Sequence, residues 1–557
     1  VVTTSDGDGD QTLQADGYLP NDNAASRFLS QAALGHGYDE IADVMTMGLE
    51  DWIVAEIDRP RGGSLATSVE DYLTFARTET GEPNRNSNIT MWYFAWWQYH
   101  MQNDDLLRQR VAFVLSQILV ISSNSGFSNN GFALADYYDI LLDEAFGNYR
   151  DLLQRVTYHA SMGVYLTYLN NPKTDLSLNR FPDENYAREL MQLFTIGTTM
   201  LNMDGSEQLD AAGLPIAAYD NNDISELSKV FTGLSWGDRS VFGRNRLRDT
   251  SYQAPMQMFN AFHEPGPKTM IDGTIIDNSP TDGDLDITQA IDILFDHPNV
   301  PPFIAKLLIQ RLVTDNPSPQ YIQRVAEVFA DDGTGERGNL AAVISAVLLD
   351  PVARSCNSGD DVTFGTLREP FIRYMQMQRA FGASTASGNH RNTMSEIYEA
   401  SGQRPLNSPS VFNFYQQDYQ PIGAVEDAGL VSPVFQITDT RSITGYVNAL
   451  WKWIYNDSPT EPTDLYGGED NATYADEVST FAYTGELDLV DDDELHILVD
   501  RWNMLLAQGR LSPQSEALIV QAALDYPMDP TDVDDRERRL KIVAYLILSC
   551  PEYLINR

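Results

Sequence analysis

The chain has 557 residues, a hydrophobic fraction of 43%, and a formal net charge of −43 from 37 Lys and Arg against 80 Asp and Glu. So long and apolar a chain supplies a large core without disulfides or metals, which excludes disorder for most of its length. So negative a field repels nucleic acid phosphates and anionic membrane surfaces, and the longest apolar stretches, 111–121 and 542–550, are too short to span a bilayer.

Basic charge is carried mainly by arginine; the first lysine is Lys173. The charge suits a marine or halophilic habit, an exported protein, or simply a solvated surface. The chain begins at Val1, so the expectation is an exported product whose targeting segment has been removed. Cys356 and Cys550 fit one disulfide or two thiols equally well, and no zinc spacing of cysteine and histidine is present.

Residues 1–22 read as an acidic, Gly/Asp-rich tail or linker. Within it Asp6, Asp8 and Asp10 alternate as in calcium loops, but Gln11 and Gly17 stand where an EF-hand needs Gly and Glu. Calcium on these three carboxylates is the one cofactor expectation, set against a bare acidic tail. Residues 23–435 read as the main helical domain, with helical spacing over 23–34, 38–58, 89–102, 104–121, 131–145 and 149–169. The aromatic run from Met91 to Tyr99 is expected in the core rather than on a sugar. Asp223 and Glu226 have capping-box spacing and predict a helix ending near Leu234. Two β-branched runs around Asp272-Gly273 predict a hairpin near 268–276 with a type I′ turn. Helices follow at 286–295, 300–313, 319–329, 339–349 and 367–381, with short turns that suit an antiparallel array. Residues 436–557 read as a C-terminal helical extension packed on the main domain, with helices at 440–455, 492–506, 514–524 and 534–548. The fold class is all-α, a large multi-helix array with a minor β-hairpin.

Two motif matches fail on context. Gly233-Leu-Ser-Trp-Gly237 has the spacing of a serine-hydrolase elbow, but a helix precedes it where the elbow needs a strand. Gly333-Thr-Gly-Glu-Arg-Gly338 has the dinucleotide spacing, but Asp331-Asp332 precede it and would repel a pyrophosphate.

The most distinctive segment runs from Pro182 to Gly197 and contains Asn185-Tyr-Ala-Arg-Glu-Leu-Met-Gln-Leu-Phe-Thr-Ile196. Ala187, Leu190, Leu193 and Phe194 fall on one helical face, Glu184 and Arg188 are spaced to pair, and Gly197 is placed to cap the end. Arg188 and Glu189 border the apolar stripe, and His263-Glu-Pro-Gly-Pro-Lys268 gathers polar groups in a turn. Glu184, Arg188, Glu189, His263 and Lys268 are therefore the candidate catalytic residues, with a carboxylate or imidazole as acid, base or ligand. The competing reading is a structural salt-bridge network.

This segment resembles the signature of the bacterial domain of unknown function 1800 family. In order, 25–35, 106–122, 223–233, 263–273, 296–313 and 406–437 are similar to the same family, so the resemblance covers nearly the whole chain. Asp183 and Glu264 depart from the Asn and Asp usual there, and 115–121 lacks a Trp and a His that many members carry. The resemblance implies export. It also implies a sulfatase- or phosphatase-like partner, because members often occur beside the domain of unknown function 1501 family, which is similar to those enzymes. The functional expectation is an exported scaffold or binding protein acting with such a partner or with an extracellular polysaccharide. The alternatives are a hydrolase or lyase using the five-residue pocket, and a calcium-dependent assembly protein.

Overall fold

The structure, a computed structural model, describes residues 20–127, 129–246, 248–278, 281–355, 363–456, 477, 479–483 and 485–557. Asp6, Asp8, Asp10 and Cys356 lie outside the described residues. The fold is all-α with minor two-stranded pairings.

The first helices are α1 (Asp22–Ala32), α2 (Tyr38–Met47) and α3 (Leu49–Asp58). The single helix expected over 38–58 breaks at Gly48, whose φ of 84° is a left-handed conformation that glycine adopts without a Cβ clash. Helix α4 (Leu65–Thr80), absent from the sequence reading, is capped by Ser64, which accepts from Thr67 N. Its buried Leu65, Val69, Leu73 and Ala76 recur at helical spacing between threonines and charges that blur the pattern. Next come α5 (Ile89–Gln102), α6 (Leu106–Ile118), α7 (Gly131–Asp143), α8 (Tyr149–Thr157) and α9 (Ala160–Tyr165). These lie at the centre: every residue of α6 is buried, and Trp92, Trp96 and Trp97 of α5 are wholly enclosed, as expected for a core helix. Trp96 stacks on His100 with ring centroids 3.6 Å apart.

The signature segment forms α10 (Asn185–Gln192), with Ala187, Leu190 and Phe194 turned fully inward. Asp183 starts the helix: its Oδ1 accepts from Asn185 N at 2.9 Å and its Oδ2 from the Thr167 hydroxyl at 3.0 Å. Gly197, with φ 72°, ends the segment and donates to the Met191 carbonyl at 3.0 Å. A small β-arm follows, with bridges Thr199↔Ala217, Leu201↔Glu207 and Leu209↔Pro215. Asn299 holds this arm: its side chain accepts from Leu201 N and donates to the carbonyls of Ile196 and Thr199.

Helix α11 (Asn221–Val230) starts one turn before the expected cap. The capping box is Asp220 with Asp223, whose carboxylate reaches back to Asp220 N at 2.8 Å. β1 (Leu234–Ser235) pairs with β2 (Gln257–Met258), and the Ser235 hydroxyl donates to Asn170, so it is no strained elbow nucleophile. β3 (Lys268–Thr269) and β4 (Ile275–Ile276) form the hairpin, but not through a two-residue turn. Gly273 N donates to Met270 O, and Gly273 takes φ 82°, the three-residue loop that ends on a left-handed glycine.

Helices α12 (Gly283–Asp296), α13 (Val300–Leu312), α14 (Pro319–Ala330) and α15 (Leu340–Leu349) form the expected array. The Gly333–Gly338 turn joins the last two, and Asp331 accepts from Gly333 N and Gly335 N. After helix Pro370–Ala380, the chain continues through helices Thr440–Tyr455, Leu495–Ala507, Pro513–Leu524 and Val533–Ser549. β5 (Thr366–Leu367) pairs antiparallel with β6 (Ile555–Asn556), and one hydrophobic cluster runs from Ala25 to Tyr553. Among the described residues no helix is long and apolar enough to cross a membrane.

A Cβ on Gly197 would lie 2.9 Å from the Phe303 ring in a backbone conformation that L-residues disfavour. Gly197→Ala is expected to lower stability by about 1–2 kcal/mol, measured as the urea midpoint at constant slope.

Candidate functional site

His263 and Lys268 come together, but around a third residue. Asp286 Oδ2 accepts from His263 Nε2 at 2.9 Å and from Lys268 Nζ at 2.8 Å. Asp286 Oδ1 accepts from Asn278 N and its side-chain amide at 3.1 and 2.9 Å. The other ring nitrogen of His263 faces the Thr232 carbonyl at 2.7 Å. All three side chains are wholly buried. Burial alone would raise the Asp286 carboxyl; the hydrogen bonds from His263, Lys268 and Asn278 hold it well below the usual carboxylate range. Both histidine nitrogens face protein oxygens, so the ring has no free edge for a substrate. The arrangement ties α11, β3 and α12 together.

The other candidates lie apart from this network. Glu184 and Arg188 make a solvent-exposed i,i+4 pair at 3.5 Å, and neither pairs with His263 or Lys268. Glu189 is buried; its Oε2 meets no donor among the described residues, and burial raises its carboxyl against the pull of Arg188. It sits one turn before Gln192 and Leu193, which open onto a different part of the molecule.

That part is a cleft of about 730 Å³, within the range typical of small-ligand sites. Its walls are the end of the signature segment (Gln192, Leu193, Gly197), the β-arm (Thr199, Leu201), α13 (Phe303, Lys306, Leu307) and the loop carrying Val411, Phe412 and Tyr415. Gln117 and Ile118 of α6 form its back. Behind it lies a chamber of about 20 Å³, room for one water-sized group, lined by Arg110, Arg368, Glu369 and Thr366. Gln310, Arg311, Asp315, Tyr415 and Gln417 line both spaces.

The chamber is an island of positive charge in an acidic protein. Arg110 donates to the carbonyls of Gln31 and Arg311, leaving Nη1 without an acceptor among the described residues. Arg311 donates to Leu307 and Gln117 carbonyls, leaving Nε. Arg368 packs against Tyr553, 4.8 Å from the ring centre, and its guanidinium meets no carbonyl or carboxylate among the described residues. Burial lowers all three arginines, as expected for charges removed from water. Glu369 is engaged by the side-chain amides of Gln117, at 2.7 Å, and Gln403. Asp315 accepts from the Ser432 hydroxyl at 3.1 Å; burial, with Glu369 nearby, pushes its carboxyl up to about 7. Burial and Glu369 also raise the Tyr415 phenol.

None of these residues belongs to a recognisable sequence motif for a binding site. A signal was present: Arg110 and Arg311 interrupt strongly apolar helices, where a charge needs a reason. Asp315, Arg368 and Tyr415 carried no such mark and are brought in by tertiary pairing. Among the described residues no cluster of His, Cys, Asp and Glu could hold a metal.

Residues 27–555 match the family model described as a protein of unknown function (DUF1800). The chain belongs to the DUF1800 family. No curated protein and no solved structure matches it. In this DUF1800 chain, four of the segments that carry the resemblance converge on the cleft: 106–122, 182–197, 296–313 and 406–437.

Asp286→Asn strips Lys268 and His263 of a buried carboxylate and is expected to cost about 3–5 kcal/mol near neutral pH. Because the folded Asp286 carboxyl is depressed, its contribution is complete above about pH 4 and is lost as acid protonates it. Urea unfolding of variant and wild type should therefore converge in acid.

Proposed function

We propose that this DUF1800 chain is an exported binding protein that captures an oxyanion group of an organic ligand or extracellular polysaccharide in the cleft. One observation carries the reading: the buried Arg311, one nitrogen of which meets no acceptor among the described residues, lines both a ligand-sized cleft and the small chamber that Arg110 and Arg368 also line. A buried charge without a partner costs several kcal/mol, and the planar fork of arginine matches carboxylate, sulfate and phosphate. The mixed apolar and amide walls suit the uncharged body of such a ligand. Oxyanion capture also fits the sulfatase- or phosphatase-like partner implied by the family resemblance, since such a partner acts on anionic esters.

The hydrolase or lyase reading through Glu184, Arg188, Glu189, His263 and Lys268 has weaker support. His263 and Lys268 are engaged by Asp286, and Glu184 and Arg188 by each other. Calcium at Asp6, Asp8 and Asp10 remains a separate proposal, tested by whether a chelator shifts the melting temperature.

Calorimetric titration with inorganic sulfate and phosphate, and with a sulfated polysaccharide, tests the cleft. Wild type should bind, and Arg311→Met and Arg368→Met should each weaken binding roughly ten- to hundredfold, the range of one charge-assisted hydrogen bond. Arg368→Met should keep or raise the melting temperature, because it removes an unmatched buried charge. Wild type that binds none of these anions defeats the proposal.

A further inference from the structure

Building on the reading of the cleft as an oxyanion site, we infer that Asp315 is its specificity-determining residue, sharing a single proton with the bound oxyanion.

The geometry sets the problem. Asp315 and Arg311 both line the cleft where it meets the chamber, so an oxyanion drawn from the cleft to Arg311 shares that place with the Asp315 carboxyl. Two ionised oxygens side by side repel, and neither has a hydrogen to donate. The contact is stable only when one of them carries a proton. The surroundings of Asp315 make it the place where that proton is held. Arg110 reaches in from α6, and Arg311 and Gln310 from α13; Arg368 and Glu369 stand at the start of helix Pro370–Ala380. Tyr415 and Ser432 close the remaining side, with Lys306 and Asp418 further out along the cleft. Glu369 is the other carboxylate in the chamber, but Gln117 and Gln403 already donate to it, so it is held as an acceptor. Asp315 meets only hydroxyl donors, from Thr366 and Ser432, and burial shifts its ordinary range to about 7 against their pull.

The consequence is a chemical choice between ligands. Sulfate and carboxylate groups carry no proton near neutrality, so binding them requires Asp315 to be protonated. Their affinity should fall about tenfold per pH unit once the pH exceeds the range of Asp315, with one proton taken up per anion bound. Hydrogen phosphate brings its own proton and can donate to ionised Asp315, so its affinity should be nearly flat over the same range. The site therefore favours sulfate- or carboxylate-bearing ligands in mild acid and hydrogen phosphate itself in mild alkali, where a phosphate ester carries no proton and behaves like sulfate.

The test is calorimetry on the full chain with inorganic sulfate and inorganic phosphate from about pH 6 to about pH 9, in two buffers of different ionisation enthalpy. The expected result is proton uptake with sulfate, a steep loss of sulfate affinity above about pH 7, and little change for phosphate. Asp315→Asn, which keeps the shape and supplies an amide donor, should bind sulfate with no pH dependence and no proton uptake. Sulfate binding to wild type that is independent of pH and buffer overturns the role of Asp315 while leaving the oxyanion site intact. Absence of binding by either anion at every pH overturns the oxyanion reading itself.

Discussion

Buried arginine organises this molecule. Arg27 donates to the carbonyls of Arg354 and Ser355, Arg108 to those of Arg59 and Leu142, and Arg539 to those of Val490 and Tyr526. Each guanidinium joins segments far apart in sequence by satisfying carbonyls that helix ends leave without partners. Lysine, with one compact ammonium group, could not bridge two carbonyls in this planar way, which gives the scarcity of lysine a structural reason. The cost is that every buried guanidinium must find acceptors, because an unmatched one is strongly destabilising.

Against that constraint the cleft stands out. Arg108 and Arg539 each leave one nitrogen without an acceptor among the described residues, as Arg110 and Arg311 do; what sets the chamber apart is that three arginines line one small space and that Arg368 rests against Tyr553 rather than on carbonyls or carboxylates. The surrounding scaffold keeps it so. Asn299 pins the β-arm to the start of α13, β5 and β6 fix the backbone of Arg368, and fully buried α6 holds Arg110. Positive charge is thus positioned by rigid elements inside a chain whose surface is overwhelmingly negative. The acidic exterior repels anions in general, while the low-dielectric chamber concentrates attraction at one point.

The Asp286 network shows the opposite outcome from similar residue types. There a histidine and a lysine converge on one carboxylate with every oxygen engaged, in a space closed to solvent. Only His263 and Lys268 of this network are catalytic candidates on sequence, because they stand in a compact polar turn; Asp286, on which both converge, has no such mark. The distinction between the two clusters is hydrogen-bond saturation and access, neither of which has a local sequence signature.

Periodicity and capping chemistry made most of the helices legible, because apolar spacing and helix ends are local properties. The failures were local too: Gly48 broke a pattern that looked continuous, threonines hid α4, and the hairpin loop and capping box were each displaced from their expected residues. The sequence by itself determined the all-α class, the buried aromatic helix and the family. Only the tertiary structure decided which polar residues meet. Arg110, Arg311, Asp315, Arg368 and Tyr415 are spread over about three hundred residues of chain and share a chamber only because helices, loop and a two-residue strand pair pack at one place. Proximity across such separations is set by the packing of whole faces, which no spacing within a single segment encodes.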